Sequence, residues 1–127
     1  MCGMAEIEDA IEVISTQDNK NLILLHCVSS YPTDPRDVNL RAMESMKKAF
    51  NIPVGYSDHT QGEIACIVSV GLGAKVIEKH FTLDTSLPGL DHAISANPAG
   101  FKEMVVNVRA IEAMMGRPGK TVSATLR

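Results

Sequence analysis

VGYSDHTQGEIACIVSVGLGAKVIEKH, Val54–His80, is the stretch whose reading decides the fold. Val54–Ser57 follows Pro53 and reads as a short strand. Ile64, Ile67, Val68 and Leu72 recur at helical spacing, and the Gly71 and Gly73 neighbourhood closes that helix. Ala74–His80 reads as a second strand. Strand, helix and strand in immediate succession is the repeating unit of a parallel sheet.

The same alternation extends outward in both directions. Upstream, Leu22–Val28 is a continuous apolar run of the kind that suits a strand buried on both faces, and it stops at Ser29, Ser30, Tyr31 and Pro32. Between the two strands, Leu40, Met43, Lys47 and Phe50 mark one helix face, with the Lys47 stem laid over apolar surface. Before them, Met4, Ile7, Ile11 and Ile14 share a segment with Glu6, Glu8, Asp9 and Glu12, which reads as an amphipathic helix ending near Ser15–Asn21. Downstream, Asn97 and Pro98 form an N-cap and first-turn pair, Phe101, Met104, Val105, Val108, Ile111 and Met115 line one face, and Gly116 is placed to cap the end. The expected class is α/β, with four helices alternating with three strands and residues 1–127 as one domain. A barrel fragment and a small doubly wound sheet both satisfy this order, and both put ligand sites at the C-terminal ends of their strands.

Composition narrows the function. The chain has 127 residues, short of the roughly 250 of a complete (β/α)8 barrel. Hydrophobic residues make up 45% and charged residues 21%, a globular balance. The net charge of -3, with no basic stripe, argues against nucleic acid as a partner. No run reaches the roughly 18 apolar residues that a membrane span needs, and no secretory leader opens the chain, so a cytoplasmic location is expected. Cys2, Cys27 and Cys66 show no CxxC spacing, and Cys27 and Cys66, inside apolar runs, read as buried thiols of a reducing compartment.

The chemistry-bearing residues collect at strand ends. Ser29 and Tyr31 follow the first strand, Ser57 and His59 end the second, and Glu78 and His80 end the third. Residues two apart on an extended chain face the same side, so each pair can point into one cavity. His59 and His80, on adjacent parallel strands, can then converge on one cation, and two imidazoles with open positions suit a catalytic divalent metal. A lone strand-end histidine is more often a hydrogen-bonded structural residue, and His26 and His92 read that way. The methionine-rich helix faces read as packing.

The strings LLHCVSSYP (Leu24–Pro32), GYSDHT (Gly55–Thr60), GAKVIEKHFTLD (Gly73–Asp84), GLDHAIS (Gly89–Ser95) and RAIEAMMG (Arg109–Gly116) together resemble the N-acetylneuraminate (sialic acid) synthase family, in order and over nearly the whole chain. The resemblance implies a partial TIM barrel, the last three βα units preceded by one helix. It implies condensation of phosphoenolpyruvate with an N-acetylated amino sugar, typically N-acetylmannosamine or its 6-phosphate, with release of phosphate. It places a divalent ion, Mn2+ or Mg2+, on His59 and His80. Glu78 and Asp91 match family positions near the sugar and the reacting atoms, and Ser57 and Tyr31 match positions that contact phosphoenolpyruvate. Ser29 stands where other members often carry Asn. A related synthase for another surface or spore-coat sugar acid is the alternative, as is an inactive barrel segment serving as an assembly module.

In that family the first five strands, the lysines that clamp the phosphate and a C-terminal antifreeze-like domain lie outside the region matched here. The opening MCGMA resembles the family's STGMA, with Met1 and Cys2 in place of two hydroxyl residues. Three strands of a barrel have two unpaired edges and an uncovered inner face, so a homo-oligomer or a complementing barrel chain is expected. Little synthase activity is expected of these residues alone.

Overall fold

The computed structural model describes residues 1–120 and 122. Its elements run α1 (Met4–Ser15), β1 (Leu24–Cys27), α2 (Ala42–Phe50), β2 (Val54–Asp58), α3 (Ile64–Gly71), β3 (Ile77–Lys79), a 3-10 turn (His92–Ile94) and α4 (Pro98–Met115). The strands form one parallel sheet in the order β1-β2-β3. This is an unclosed α/β arrangement, consistent with the partial (β/α)8 barrel that the family resemblance implied; the alternation alone left a doubly wound sheet open.

All five residues of β2 are buried, whereas all four of β1 are only half-buried. Odd and even positions of β2 serve different purposes. Val54 and Tyr56 face the helices and join Val38, Met43, Met46 and Ala65 in the core. Gly55 lies between its neighbours so closely that a Cβ there would meet the Val76 carbonyl oxygen at 2.5 Å and Leu25 Cδ2 at 2.6 Å. Only glycine fits that point of the sheet.

Strand limits are tighter than the apolar runs suggested. Val28 leaves the ladder and gives its carbonyl to the side chains of Thr33 and His59. β3 begins at Ile77, although backbone pairing to β2 reaches back through Val76 and Lys75 (Tyr56 N–H to Val76 O, 2.9 Å; Lys75 N–H to Val54 O, 2.8 Å). In α2 the buried residues are Met43 and Met46, and Lys47 is exposed. A 3.6-residue turn puts position 46 as near to 43 as 47 is, and the unbranched Met side chain fills the core at no desolvation cost. Asn97 caps α4 as its sequence predicts, its side chain accepting the Gly100 N–H at 2.9 Å. Cys66 is fully buried, Cys27 half-buried and Cys2 exposed. Among the described residues no helix is long and apolar enough to cross a membrane.

Candidate metal and substrate site at the strand ends

The ends of β2 and β3 are tied together on both faces of the sheet. In register, Ser57 lies opposite Glu78 and Asp58 opposite Lys79. On the inner face the Ser57 hydroxyl donates to Glu78 Oε1 at 2.7 Å. Glu78 is itself exposed. On the helix-covered face Lys79 and Asp58 form an ion pair of 2.8 Å, with side chains 1% and 0% exposed. The Asp58 carboxylate also accepts from the Tyr56 hydroxyl (2.9 Å), the Thr60 N–H (2.9 Å) and the Cys66 thiol (3.2 Å). Burial opposes ionisation of Asp58, yet the Lys79 hydrogen bond, the Thr60 amide and the Lys79 charge together hold its carboxyl below the usual carboxylate range. Burial, followed by the Asp58 charge, pushes the Tyr56 hydroxyl and the Cys66 thiol up. Both stay protonated and donate.

His59 and His80 stand one residue past these cross-links. Their ring centroids are 5.2 Å apart, inclined by 53°. The Tyr31 ring lies 4.1 Å from that of His59 and 5.9 Å, edge-on, from that of His80. His59 is buried, and its Nδ1 sits 2.9 Å from the Val28 carbonyl. A carbonyl only accepts, so Nδ1 carries the proton and Nε2 of the neutral ring keeps its lone pair, the arrangement found in metal-bound histidines. The His59 backbone is fixed as well, its carbonyl accepting from the Thr33 N–H at 2.9 Å.

The chain after β3 folds back onto the site. Phe81 bridges Ala96, and the Ala96 N–H donates to the His80 carbonyl at 2.8 Å. This pins both ends of the 83–95 connection and brings the Asp91 carboxylate to 3.9 Å from His80 Nδ1. His92 is held by Thr82 at 2.8 Å, and His26 by the Val38 carbonyl at 2.7 Å. Both are the structural histidines their positions suggested.

The strand-end residues are thus brought together unequally. Ser57, Glu78 and His80 line one cavity of about 200 Å³ together with Asp58 and Lys79, with the rings of Tyr31 and His59 clustered against His80 and the Asp91 carboxylate 3.9 Å from it. Ser29 lines a different cavity of about 480 Å³, together with Met1, Cys2, Leu25 and Cys27. A larger apolar cavity of about 830 Å³ between the β1–α2 connection and α3 holds none of the expected site residues. Sequence reasoning missed Asp58 and Lys79. The available signal was a pair of opposite charges, each one residue before a strand-end histidine.

The residues present fit a cation in part. Two imidazoles 5.2 Å apart can share one ion with bonds of about 2.0–2.2 Å each. Among the described residues no group of three or more His, Cys, Asp or Glu is placed to hold a metal, so the protein would supply two ligands and leave the other positions to water or substrate oxygens.

Comparison with known proteins matches residues 1–120 to the NeuB family. The chain belongs to the NeuB family. It is 57% identical over 116 residues to an uncharacterized protein of Methanocaldococcus jannaschii, covering 91% of this chain and 34% of that protein. It is 44% identical over 127 residues to the N,N'-diacetyllegionaminic acid synthase of Legionella pneumophila, covering 97% of this chain and 36% of the relative. Among solved structures, the N-acetylneuraminic acid (sialic acid) synthetase of Leptospira borgpetersenii, crystallised with citrate, superposes with a TM-score of 0.90 at 37% identity, covering 98% of this chain and 44% of that one. This member of the NeuB family therefore spans about a third of the length of the curated relatives it matches.

Proposed function

We propose that residues 1–127 form one partial barrel domain carrying the metal and sugar side of a phosphoenolpyruvate-dependent sugar-acid synthase active site. The observation that carries this reading is the convergence of Tyr31, His59 and His80 with the Ser57–Glu78 pair at adjacent parallel strand ends, in a chain of this family. The reaction joins the enol carbon of phosphoenolpyruvate to the aldehyde carbon of an open-chain sugar, takes up water and releases phosphate. The Legionella and Leptospira relatives are named for different N-acetylated sugar acids, so the co-substrate is an N-acetylated amino sugar, with N-acetylmannosamine or its 6-phosphate the first to test.

His59 and His80 would hold Mn2+ or Mg2+ through ring nitrogens, with the His59 tautomer set by Val28. When bound, the cation supplies Lewis acidity toward the sugar aldehyde. Glu78, one oxygen held by Ser57, keeps the other to orient the sugar or exchange a proton with it. Asp91, its carboxylate 3.9 Å from His80 Nδ1, serves the same substrate. Tyr31 and Ser57 contact phosphoenolpyruvate, whereas Ser29, in its separate cavity, takes no part in that contact. Those contacts position the reactants, and positioning is where much of the rate enhancement of such a condensation originates.

A second chain belongs to this reading. β1 and β3 are sheet edges, β1 buries none of its residues fully, and α1 has no buried residue. Another copy, or a chain bearing the complementary strands, would cover them.

The test is the 31P line of phosphoenolpyruvate with Mn2+ and the full chain. Broadening by protein-held Mn2+ that disappears in His59→Ala is the expected result, and identical broadening in that variant would sink the site assignment. Turnover is a separate matter. The chain alone should release little phosphate from phosphoenolpyruvate, N-acetylmannosamine and Mn2+, and release abolished by His59→Ala would contradict the need for a complementing chain.

A further inference from the structure

The ion pair behind the histidines is placed to do more than fill the core. The last register pair of the β2–β3 ladder is Asp58 with Lys79, so His59 and His80 lie just where the backbone stops holding the two strands together. Lys79 spans that gap. Its ammonium bonds Asp58 Oδ2 at 2.8 Å and the Thr60 carbonyl, the residues on either side of His59, while Lys79 itself immediately precedes His80. Asp58 tightens the same turn by accepting the Thr60 N–H at 2.9 Å. The β3 side chain thus grips the chain before and after one histidine and is covalently next to the other.

We propose that Asp58 and Lys79 are positioning residues for metal binding: a buried clamp that sets the spacing and orientation of His59 and His80. The inference rests on the proposed metal site. Neither side chain reaches the metal or substrate: both residues contribute to the wall of the cavity beside Ser57, Glu78 and His80, but their side chains are 0% and 1% exposed and alternate to the opposite face of the sheet from Ser57 and Glu78. Without the clamp, His59 keeps the Thr33 N–H on its carbonyl and the Val28 carbonyl on its Nδ1, and His80 keeps the Ala96 N–H on its carbonyl, but no side chain ties the two strands together at the histidines. Metal ligands whose outer supports are removed typically lose about 10–100-fold in affinity.

The experiment is a Mn2+ titration of the full chain, followed by the EPR signal of free Mn2+, beside thermal melts of metal-free samples. In the double variant Asp58→Asn, Lys79→Met both charges leave together, so no unpaired charge stays buried, but the donor to Asp58 and Thr60 is gone. Its Mn2+ affinity should fall about 10–100-fold while it still melts cooperatively. The double variant Asp58→Asn, Lys79→Gln restores an uncharged donor at the same place and should recover part of that affinity. A merely structural pair would change both melting temperatures without separating the two variants in affinity. Wild-type affinity in a folded Asp58→Asn, Lys79→Met chain overturns the inference. Should that variant not fold, equal affinities for wild type and the amide double variant, whose histidines are no longer clamped by charge, overturn the charged-clamp form of it. His59→Ala is the reference: if it binds Mn2+ as wild type does, the metal site itself is wrong and the inference falls with it.

Discussion

The two faces of the β2–β3 pair are made from alternate residues of the same few positions, and they differ in every physical respect. The back face carries the side chains of Tyr56, Asp58 and Lys79, each sealed from solvent and hydrogen-bonded. The front face, Ser57, Glu78 and His80 with the His59 ring beside them, opens onto a cavity with Glu78 exposed. A buried pair contributes definition of geometry more readily than net stability, since desolvation offsets most of its attraction. The front face contributes chemistry and can be changed without unfolding the chain. The difference teaches that the strand ends are held from behind and used from in front.

The sharpest way to break that contrast is to strand a charge on the back face. Lys79→Met alone leaves the Asp58 carboxylate buried without its cation and should cost about 3–5 kcal/mol in urea unfolding. Glu78→Gln on the front face should cost less than about 1 kcal/mol, and a comparable loss from both would erase the distinction between the faces. Next in size is Gly55→Ala. The added Cβ meets the Val76 carbonyl at 2.5 Å, and about 1–3 kcal/mol of destabilisation should follow from the shift of β3. Ser57→Ala removes the front-face cross-link to Glu78 and should cost about 0.5–1.5 kcal/mol. Asn97→Ala, remote from both faces, should cost about 1 kcal/mol through loss of the α4 cap and leave Mn2+ affinity unchanged.

Much of this architecture is legible in the sequence because helical and strand periodicities alternate cleanly. Asn97–Pro98 announced α4, and the i, i+2 spacing of Ser57 with His59 and of Glu78 with His80 announced the front face. The back face was hidden by the same periodicity. Asp58 and Lys79 have the opposite parity, and charged residues near strand ends ordinarily read as solvent-facing. Only the register, which sequence does not supply, puts them opposite one another under the helices. Ser29 illustrates the converse. Its spacing to Tyr31 matches the other pairs, but the chain leaves β1 at Cys27, before the extended conformation can align the two side chains, and Ser29 lines a separate cavity. The exchange of Lys47 for Met46 on the buried side of α2 reflects the near-equivalence of i+3 and i+4 on a helix.

The central claim is that His59 and His80 jointly hold one divalent cation. Mn2+ binding to the full chain, measured by calorimetry for wild type, His59→Ala and His80→Ala at matched fold content, tests it most directly. The account predicts one Mn2+ per wild-type chain and loss of that binding in each variant separately. Wild-type stoichiometry and affinity in either single variant would contradict it.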